Sequence, residues 1–367
     1  MSKTALVTGA SGFIGGYVVD HLVRAGWRVR ATSRRRPAYL ETPRFRDVDW
    51  VEADLTRAHA FDAALAGVDR VYHVAGLFDF FAAPEALVRA NADATDFLCG
   101  AARRAGAREL VLFSSGAVYG FGYGNRAVRE TDPAQPSEPY SRSKWEGELR
   151  AFQHNGKDGL GVLVLRPGAV YGPGSIYGDA QALYLLKRGV LCGIPGWRET
   201  VSSHIHAADC AGAAHYLAER AESWDRAAAS VEGLVFNLCD STPMANAALI
   251  GDAARAIPKK GLLGVLLPIR IPGFLLLATA WLVETAARVT RTRPMFETTG
   301  VRYLLTGHAM ENARLAASGY PFRYPSTMAG LIDTIRWYET TGWKGFDHRE
   351  PVPSPFDGAP ANANGGI

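Results

Sequence analysis

The sequence predicts an α/β protein: a doubly wound parallel sheet with a smaller C-terminal α/β subdomain over one end. A short apolar run, Ala5 to Val7, leads directly into Gly9-Ala-Ser-Gly12-Phe-Ile-Gly15, and apolar residues then recur at Ile14, Val18, Leu22 and Val23. That order is strand, tight turn and helix. Similar runs ending in small or polar residues return at 71–74, 110–113 and 163–165, an alternation that builds parallel sheets from βαβ units. With 367 residues, 48% of them hydrophobic and 21% charged, the chain has the material for a large core.

The first turn sets the expected function. Without a Cβ, glycine lets a turn take positive φ and lets the backbone approach a ligand closely. A helix starting there aims its free N–H groups and positive dipole end at the same place, which suits a pyrophosphate. Gly9, Ser11, Gly12, Phe13, Ile14 and Gly15 are therefore candidate cofactor-binding residues. The Gly9-x-x-Gly12-x-x-Gly15 spacing differs from the G-x-G-x-x-G of two-domain dehydrogenases. It resembles the TGxxGxxG turn of the extended short-chain dehydrogenase/reductase superfamily.

The second strand, 27–32, ends at Ser33-Arg34-Arg35-Arg36. At this tip an acidic residue selects NAD and an arginine accommodates a 2′-phosphate. No Asp or Glu is present, and Arg34, with Thr32 and Ser33 as hydroxyl donors, favours NADP(H), with NAD(H) as the alternative. Residues 51–55 look like the end of a third strand, and the resemblance implies that Asp54 and Leu55 border the adenine. Residues 71–76 read as the fourth strand, with Ala75 and Gly76 in the turn facing the pyrophosphate. The resemblance gives Asn91, on the helix that follows, a tie to the next strand.

The fifth strand, from Leu110, exits through Ser114-Ser115, at the end where open α/β sheets bind ligands. Further on, Ser137 is a candidate N-cap for a helix carrying Tyr140 and Lys144, four apart and so on one face. A phenol of pKa about 10 is a poor acid or base at neutral pH. A neighbouring ammonium is expected to lower it into a useful range, while Ser115 hydrogen-bonds the same substrate oxygen. The 25-residue interval from Ser115 to Tyr140 completes the resemblance to the extended short-chain dehydrogenases/reductases. It implies a Rossmann fold and a catalytic Ser115, Tyr140 and Lys144, with Tyr140 and Lys144 also touching the cofactor and Lys144 holding the nicotinamide ribose. The run Arg166-Pro167-Gly-Ala-Val170-Tyr-Gly-Pro-Gly174 is similar to the family's R-P-x-x-V-Y-G-P-G, which implies that Pro167 and Val170 lie beside the carboxamide.

Beyond Gly174 the motifs thin. The expected organisation is a dinucleotide-binding domain over 1–174, an interleaved substrate-binding subdomain over 175–345, and a disordered tail over 351–367 rich in Pro, Gly, Ala and Asn. His204, His206 and His215 lack a suitably placed acidic or cysteine partner, so packing roles and no metal are expected. The residues before His204 are Val-Ser-Ser, and the arginine with which sugar-nucleotide epimerases of the superfamily hold a diphosphate is missing there. The segment 261–283 is strongly apolar, but prolines and Arg270 divide it and its clean run of eleven residues is too short to span a bilayer. A helix over 273–289 stays open to three readings: a core or homodimer helix, a lid on an apolar pocket, or a helix in a membrane interface. This layout resembles the branch of 3β-hydroxysteroid dehydrogenases, sterol-4-carboxylate dehydrogenases and long-chain 3-oxo-lipid reductases. Dihydroflavonol reductases share the Arg-Ala-Thr-x-Arg strand tip.

The net charge of +4, with no basic block longer than Arg34–Arg36, predicts no nucleic-acid partner. Cys99, Cys192, Cys210 and Cys239 form no C-x-x-C pair, so neither a disulfide framework nor a zinc site is expected. The chain enters a strand within four residues without a secretory pattern, and a cytoplasmic setting is expected. The expected activity is ketone–alcohol interconversion on an apolar, lipid-like or polycyclic small molecule. The alternatives are a sugar-nucleotide epimerase or dehydratase with tightly bound NAD, and a non-catalytic dinucleotide-binding protein.

Overall fold

The computed structural model describes residues 3–57, 59–191, 193–221, 234–240, 243–258, 269–290, 294, 297–346 and 350–356. In the first half, β1 (Thr4–Thr8) passes into α1 (Phe13–Arg24), β2 (Arg28–Ser33), β3 (Asp49–Glu52) and β4 (Arg70–His73). A helix with one π turn follows as α2 (Pro84–Val88) and α3 (Ala94–Arg104), then β5 (Glu109–Phe113), α4 (Pro139–His154), β6 (Gly161–Pro167) and β7 (Ala169–Tyr171). The third strand ends at Glu52, so Asp54 and Leu55 lie just past it.

The second half runs α5 (Asp179–Lys187), β8 (Ile194–Pro195), β9 (Val201–Ser202), β10 (His204–His206), α6 (Ala207–Ala221), β11 (Val235–Leu238) and β12 (Met244–Ala245). It continues through α7 (Asn246–Ala256), β13 (Arg270–Ile271), α8 (Gly273–Thr290), α9 (Thr298–Thr306), α10 (Ala313–Ala317) and α11 (Thr327–Thr341).

Seven strands form one parallel sheet in the order β11-β6-β5-β4-β1-β2-β3. Side chains alternate across each strand: Val7 joins Val18, Leu22 and Leu217 of α1 and α6 on one face, and Leu6 joins Leu98 and Ala151 of α3 and α4 on the other. Both faces are therefore covered, as parallel strands require. The chain leaves β1 for β2 on one side and returns as β4 on the other, a switch point that opens a crevice at the strands' carboxyl ends. Although they follow Gly174, α6 and β11 rejoin the sheet, while α5, α7 and α11 build a separate cluster around Leu183, Leu249 and Ile335.

The tail differs from expectation. Phe356 is buried against Tyr17, Tyr39 and Phe45, and Pro355 rests on Gly174. Residues 351–356 are thus packed rather than disordered, because one aromatic side chain finds an apolar slot that composition does not reveal. Residues 357–367 lie outside the described residues, as does Cys192.

Candidate active site

The glycine turn after β1 is shaped by contact. Gly9 has φ +72°, and a Cβ there would stand 2.7 Å from Ala75 Cα; a Cβ on Gly15 would stand 2.1 Å from Gly9 O. Neither position admits a side chain. Gly12 caps α1 without a side-chain acceptor; Ser11 beside it is exposed, Phe13 is partly buried, and Ile14 is partly buried against the core. A helix start of this kind fits a dinucleotide pyrophosphate. Ala75 N–H donates to Thr8 Oγ1 at 3.1 Å, holding the β4 exit against the turn.

At the tip of β2, Arg34 is exposed, and its charge, after the hydrogen bonds from Thr56, helps hold the Asp54 carboxyl below its ordinary range. Thr32 and Ser33 are buried, and Ser33 Oγ donates to Arg35 O at 2.7 Å and accepts from Trp50 at 3.0 Å. Neither therefore stands free at the tip as expected: Thr32 is closed off by burial, and the Ser33 hydroxyl is already engaged. Asp54 is engaged in a turn, accepting from Thr56 N–H at 3.0 Å and Thr56 O–H at 2.8 Å. Leu55 packs partly buried beside it.

α4 starts one residue later than expected. Glu138, not Ser137, is the N-cap, because Ser141 Oγ returns to Glu138 N–H at 3.0 Å in a capping box, with Pro139 in the first turn. This start buries Tyr140 and Lys144 at the carboxyl end of β5. Ser115 stands beside Tyr140 and favours its phenolate. Ser115 Oγ accepts from Ala117 N–H at 3.1 Å, which leaves the Ser115 proton for donation.

Lys144 Nζ donates to Phe113 O at 2.6 Å, and a Cβ on Gly76 would come within 3.7 Å of Nζ. A Cβ on Gly116 would likewise meet Pro167 O at 3.1 Å, while Val170 in β7 pairs with Ile205. The turn, Ala75, Gly76, Ser115, Tyr140, Lys144 and Pro167 are thereby brought to one crevice. Asn91 is tied not to the next strand, as expected, but to the exit of β4 and to α4, donating to Leu77 O at 3.0 Å and Ser143 Oγ at 2.9 Å.

The electrostatics correct one expectation. Burial pushes the Tyr140 phenol up to about 12, opposed only by Ser115 beside it, and pushes the Lys144 ammonium down to about 8 against the pull of Glu148. In this dry site desolvation outweighs the attraction expected between ammonium and phenolate. Glu148, one turn beyond Lys144, is buried and accepts from Arg166 at 2.6 Å and from Ser114. The Tyr-x-x-x-Lys-x-x-x-Glu spacing is a signal the sequence offers for it.

Other members of the site come from distant loops. Phe78 and Phe80 stand 5.2 and 5.4 Å from the Tyr140 ring, Tyr177 stands 5.8 Å from Phe78, and Tyr303 of α9 stands 6.1 Å from Phe80. Tyr303 Oη and His308 Nε2 are buried without a hydrogen-bond partner. The aromatic run Phe78-Asp-Phe-Phe after the fourth strand is the available sequence signal; Tyr303 and His308 have none.

The three histidines weighed for metal occupy separate places. His204 lies 3.5 Å from Asp179, an acidic partner that sequence spacing does not reveal, and that carboxylate raises its pKa against the opposing effect of burial. His206 packs on Tyr171 and Tyr324, and His215 contacts His21 at 3.1 Å on the α1–α6 seam.

Residues 5–233 match the NAD dependent epimerase/dehydratase family. The chain is 28% identical over 346 residues to a ceramide reductase of Caulobacter vibrioides, covering 92% of this chain and 95% of that one. It is 29% identical over 178 residues to a 3 beta-hydroxysteroid dehydrogenase/Delta 5-->4-isomerase of Mycobacterium tuberculosis, covering 46% of this chain and 47% of that one. The chain thus spans about half the length of several curated relatives it matches, 52% of one and 53% of another. Among solved structures, MoeE5 in complex with UDP-glucose and NAD superposes with a TM-score of 0.68 at 22% identity, covering 93% of this chain and 99% of that one, a likeness of fold. Fold, crevice and family match agree: the chain belongs to the NAD dependent epimerase/dehydratase family, among the extended short-chain dehydrogenases/reductases.

Proposed function

We propose that the enzyme interconverts a ketone and a secondary alcohol on an apolar, lipid-like or polycyclic substrate, with NADP(H) favoured over NAD(H). The observation that carries this reading is the aromatic wall of Phe78, Phe80, Tyr177 and Tyr303 around the Tyr140 ring. Such a wall gains free energy by covering apolar substrate surface. The similarity to a ceramide reductase over 92% of the chain points the same way. Arg34, exposed at a β2 tip without a carboxylate, supports the 2′-phosphate. The cover of the site by residues from 175–345, with Tyr303 among them, belongs to the same proposal.

When bound, the nicotinamide supplies or takes up the hydride. Tyr140, kept protonated by burial, gives its proton to the substrate oxygen during reduction and regains one in the reverse direction. Ser115 donates a second hydrogen bond to that oxygen and stabilises its developing charge. Lys144, beside Gly76, holds the ribose, and its ammonium is in turn held by Phe113 O.

The test is a panel of 3-oxo lipids and ketosteroids, incubated with purified enzyme and NADPH or NADH and followed by nicotinamide absorbance. NADPH consumption with an apolar ketone is expected, together with a preference for NADPH that Arg34→Ala removes. Protein that purifies with NAD already bound, and that epimerises a sugar nucleotide without net nicotinamide turnover, overturns the reading.

A further inference from the structure

We infer that the protein docks on an anionic lipid surface through the outward face of α8. This helix is inverted relative to the surface helix of a soluble domain. Its exposed side includes Phe274 (69%), Trp281 (59%), Leu282 (60%) and Val289 (80%), whereas the buried positions are the small residues Ala280 and Ala287. Residues 274, 278, 281, 282, 285 and 289 fall on one stripe at three- and four-residue intervals. The patch continues past the helix start, where Ile269 (52%) and Trp197 (68%) flank the paired strands β8 and β13. An exposed apolar face that carries Trp281, with exposed Trp197 beyond the helix start, is the chemistry of a bilayer interface.

The charge that flanks α8 in the sequence selects the partner. Residues 252–297 carry seven Lys or Arg and three acids, Asp252, Glu284 and Glu297, a net +4 that equals the net charge of the whole chain. Anionic headgroups complement that excess. A second copy of the chain does not, because a two-fold seam would set the same basic stretch against itself.

The helix is also fastened to the protein. Glu284 accepts from Thr298 N–H at 2.5 Å, Arg288 lies 4.9 Å from the Phe81 ring, and Leu305 of α9 packs on Gly273. With 18 residues it is long and apolar enough to cross a bilayer, unlike the eleven-residue run read from the sequence, but these contacts hold it against α9 and Phe81. It lies along the surface rather than across it.

The placement bears on substrate entry. α8 rests on α9, whose Tyr303 belongs to the wall around Tyr140 and whose Arg302 pairs with the cap residue Glu138 at 2.9 Å. An apolar substrate would then pass from lipid into the site without crossing water; this step rests on the proposed substrate class, whereas docking does not.

The experiment sediments the full chain with vesicles of phosphatidylcholine, alone or mixed with phosphatidylglycerol, at low and high salt. Wild type should co-sediment with the phosphatidylglycerol vesicles and release in high salt. The double variant Trp281→Glu, Leu282→Glu should lose binding by about tenfold or more, with NADPH titration unchanged as the check on folding. Wild type left in the supernatant with both vesicles overturns the inference. So does equal binding to neutral vesicles, or a dimer that the double variant converts to monomer. None of these readouts involves turnover, so a failure here is separable from a failure of the proposed reaction.

Discussion

Tyr140 and Lys144 are one helical turn apart, yet burial moves their protonation in opposite senses. The phenol rises to about 12 and the ammonium falls to about 8. The titration that falls within the working range is therefore that of Lys144. Its charged form is the protonated one, so the lowered value means that the ammonium is present below pH 8 and lost above it. If that ammonium holds the cofactor ribose, kcat/KM for reduction stays level through neutral pH and declines above about 8, while the Tyr140 proton remains in place. Lys144→Arg, whose guanidinium keeps its charge, should lower the plateau but remove this alkaline decline. In Tyr140→Phe, turnover should drop by roughly 100-fold or more while NADPH affinity is kept, because the ring and its neighbours remain. A decline near pH 8 that persists in Lys144→Arg would assign the titration elsewhere.

Among the elements, the packed C-terminal segment is an unexpected support of the nucleotide turn. Phe356 lies under Gly16 of α1 and against Tyr39, whose O–H donates to Ala10 O at 2.8 Å inside the glycine turn. Phe356→Ala should cost about 3 kcal/mol through the cavity it leaves. It should also weaken NADPH binding, because Tyr39 loses its backing; thermal melts with and without NADPH read both effects. The glycine turn and the Tyr140–Lys144 pair were legible in the sequence because each is a local backbone requirement: a positive φ, a close approach, an i,i+4 spacing. Glu138 displaced Ser137 as cap because Ser141 could reach back, a competition between neighbouring residues that spacing alone does not decide. The aromatic wall and the His204–Asp179 pair join loops and elements that only the folded sheet brings together. Phe356 sits in a stretch whose composition suggests disorder, and one buried ring outweighs that average.

For the whole molecule, histidines that burial holds down contribute to the response to acid, His21, His215 and His308 among them, and His73 and His206 are the two held lowest. His73 is held down to about 3 by burial and then by Lys144, and His206 is held down to about 3 by burial and then by Arg323. Their hydrogen bonds give the same answer. Thr95 Oγ1 donates to Asn91 O at 2.7 Å, so at the 3.1 Å contact with His73 Nε2 it accepts. His73 Nδ1 must then accept from Thr8 Oγ1 at 2.8 Å, and a second ring proton would require the Thr8 hydroxyl, which already accepts from Ala75 N–H, to turn its own proton away. His206 Nδ1 accepts from Ala208 N–H at 3.1 Å, so its protonation would also break the start of α6. Both rings are neutral in the fold, whereas in the unfolded chain each takes up a proton near pH 6.5. As pH falls below about 6.5 the unfolded state binds more protons than the folded state, so stability is lost from there down towards pH 3. One unit below the unfolded value, each histidine contributes about 1.4 kcal/mol of that loss. Urea unfolding at pH 7.5 and 5.5 should show the enzyme weaker at the lower pH, and His73→Gln should make the difference smaller by about that amount. An unchanged difference in His73→Gln would mean that His73 is not part of the acid response and that the Thr8–His73–Thr95 chain tolerates a second proton.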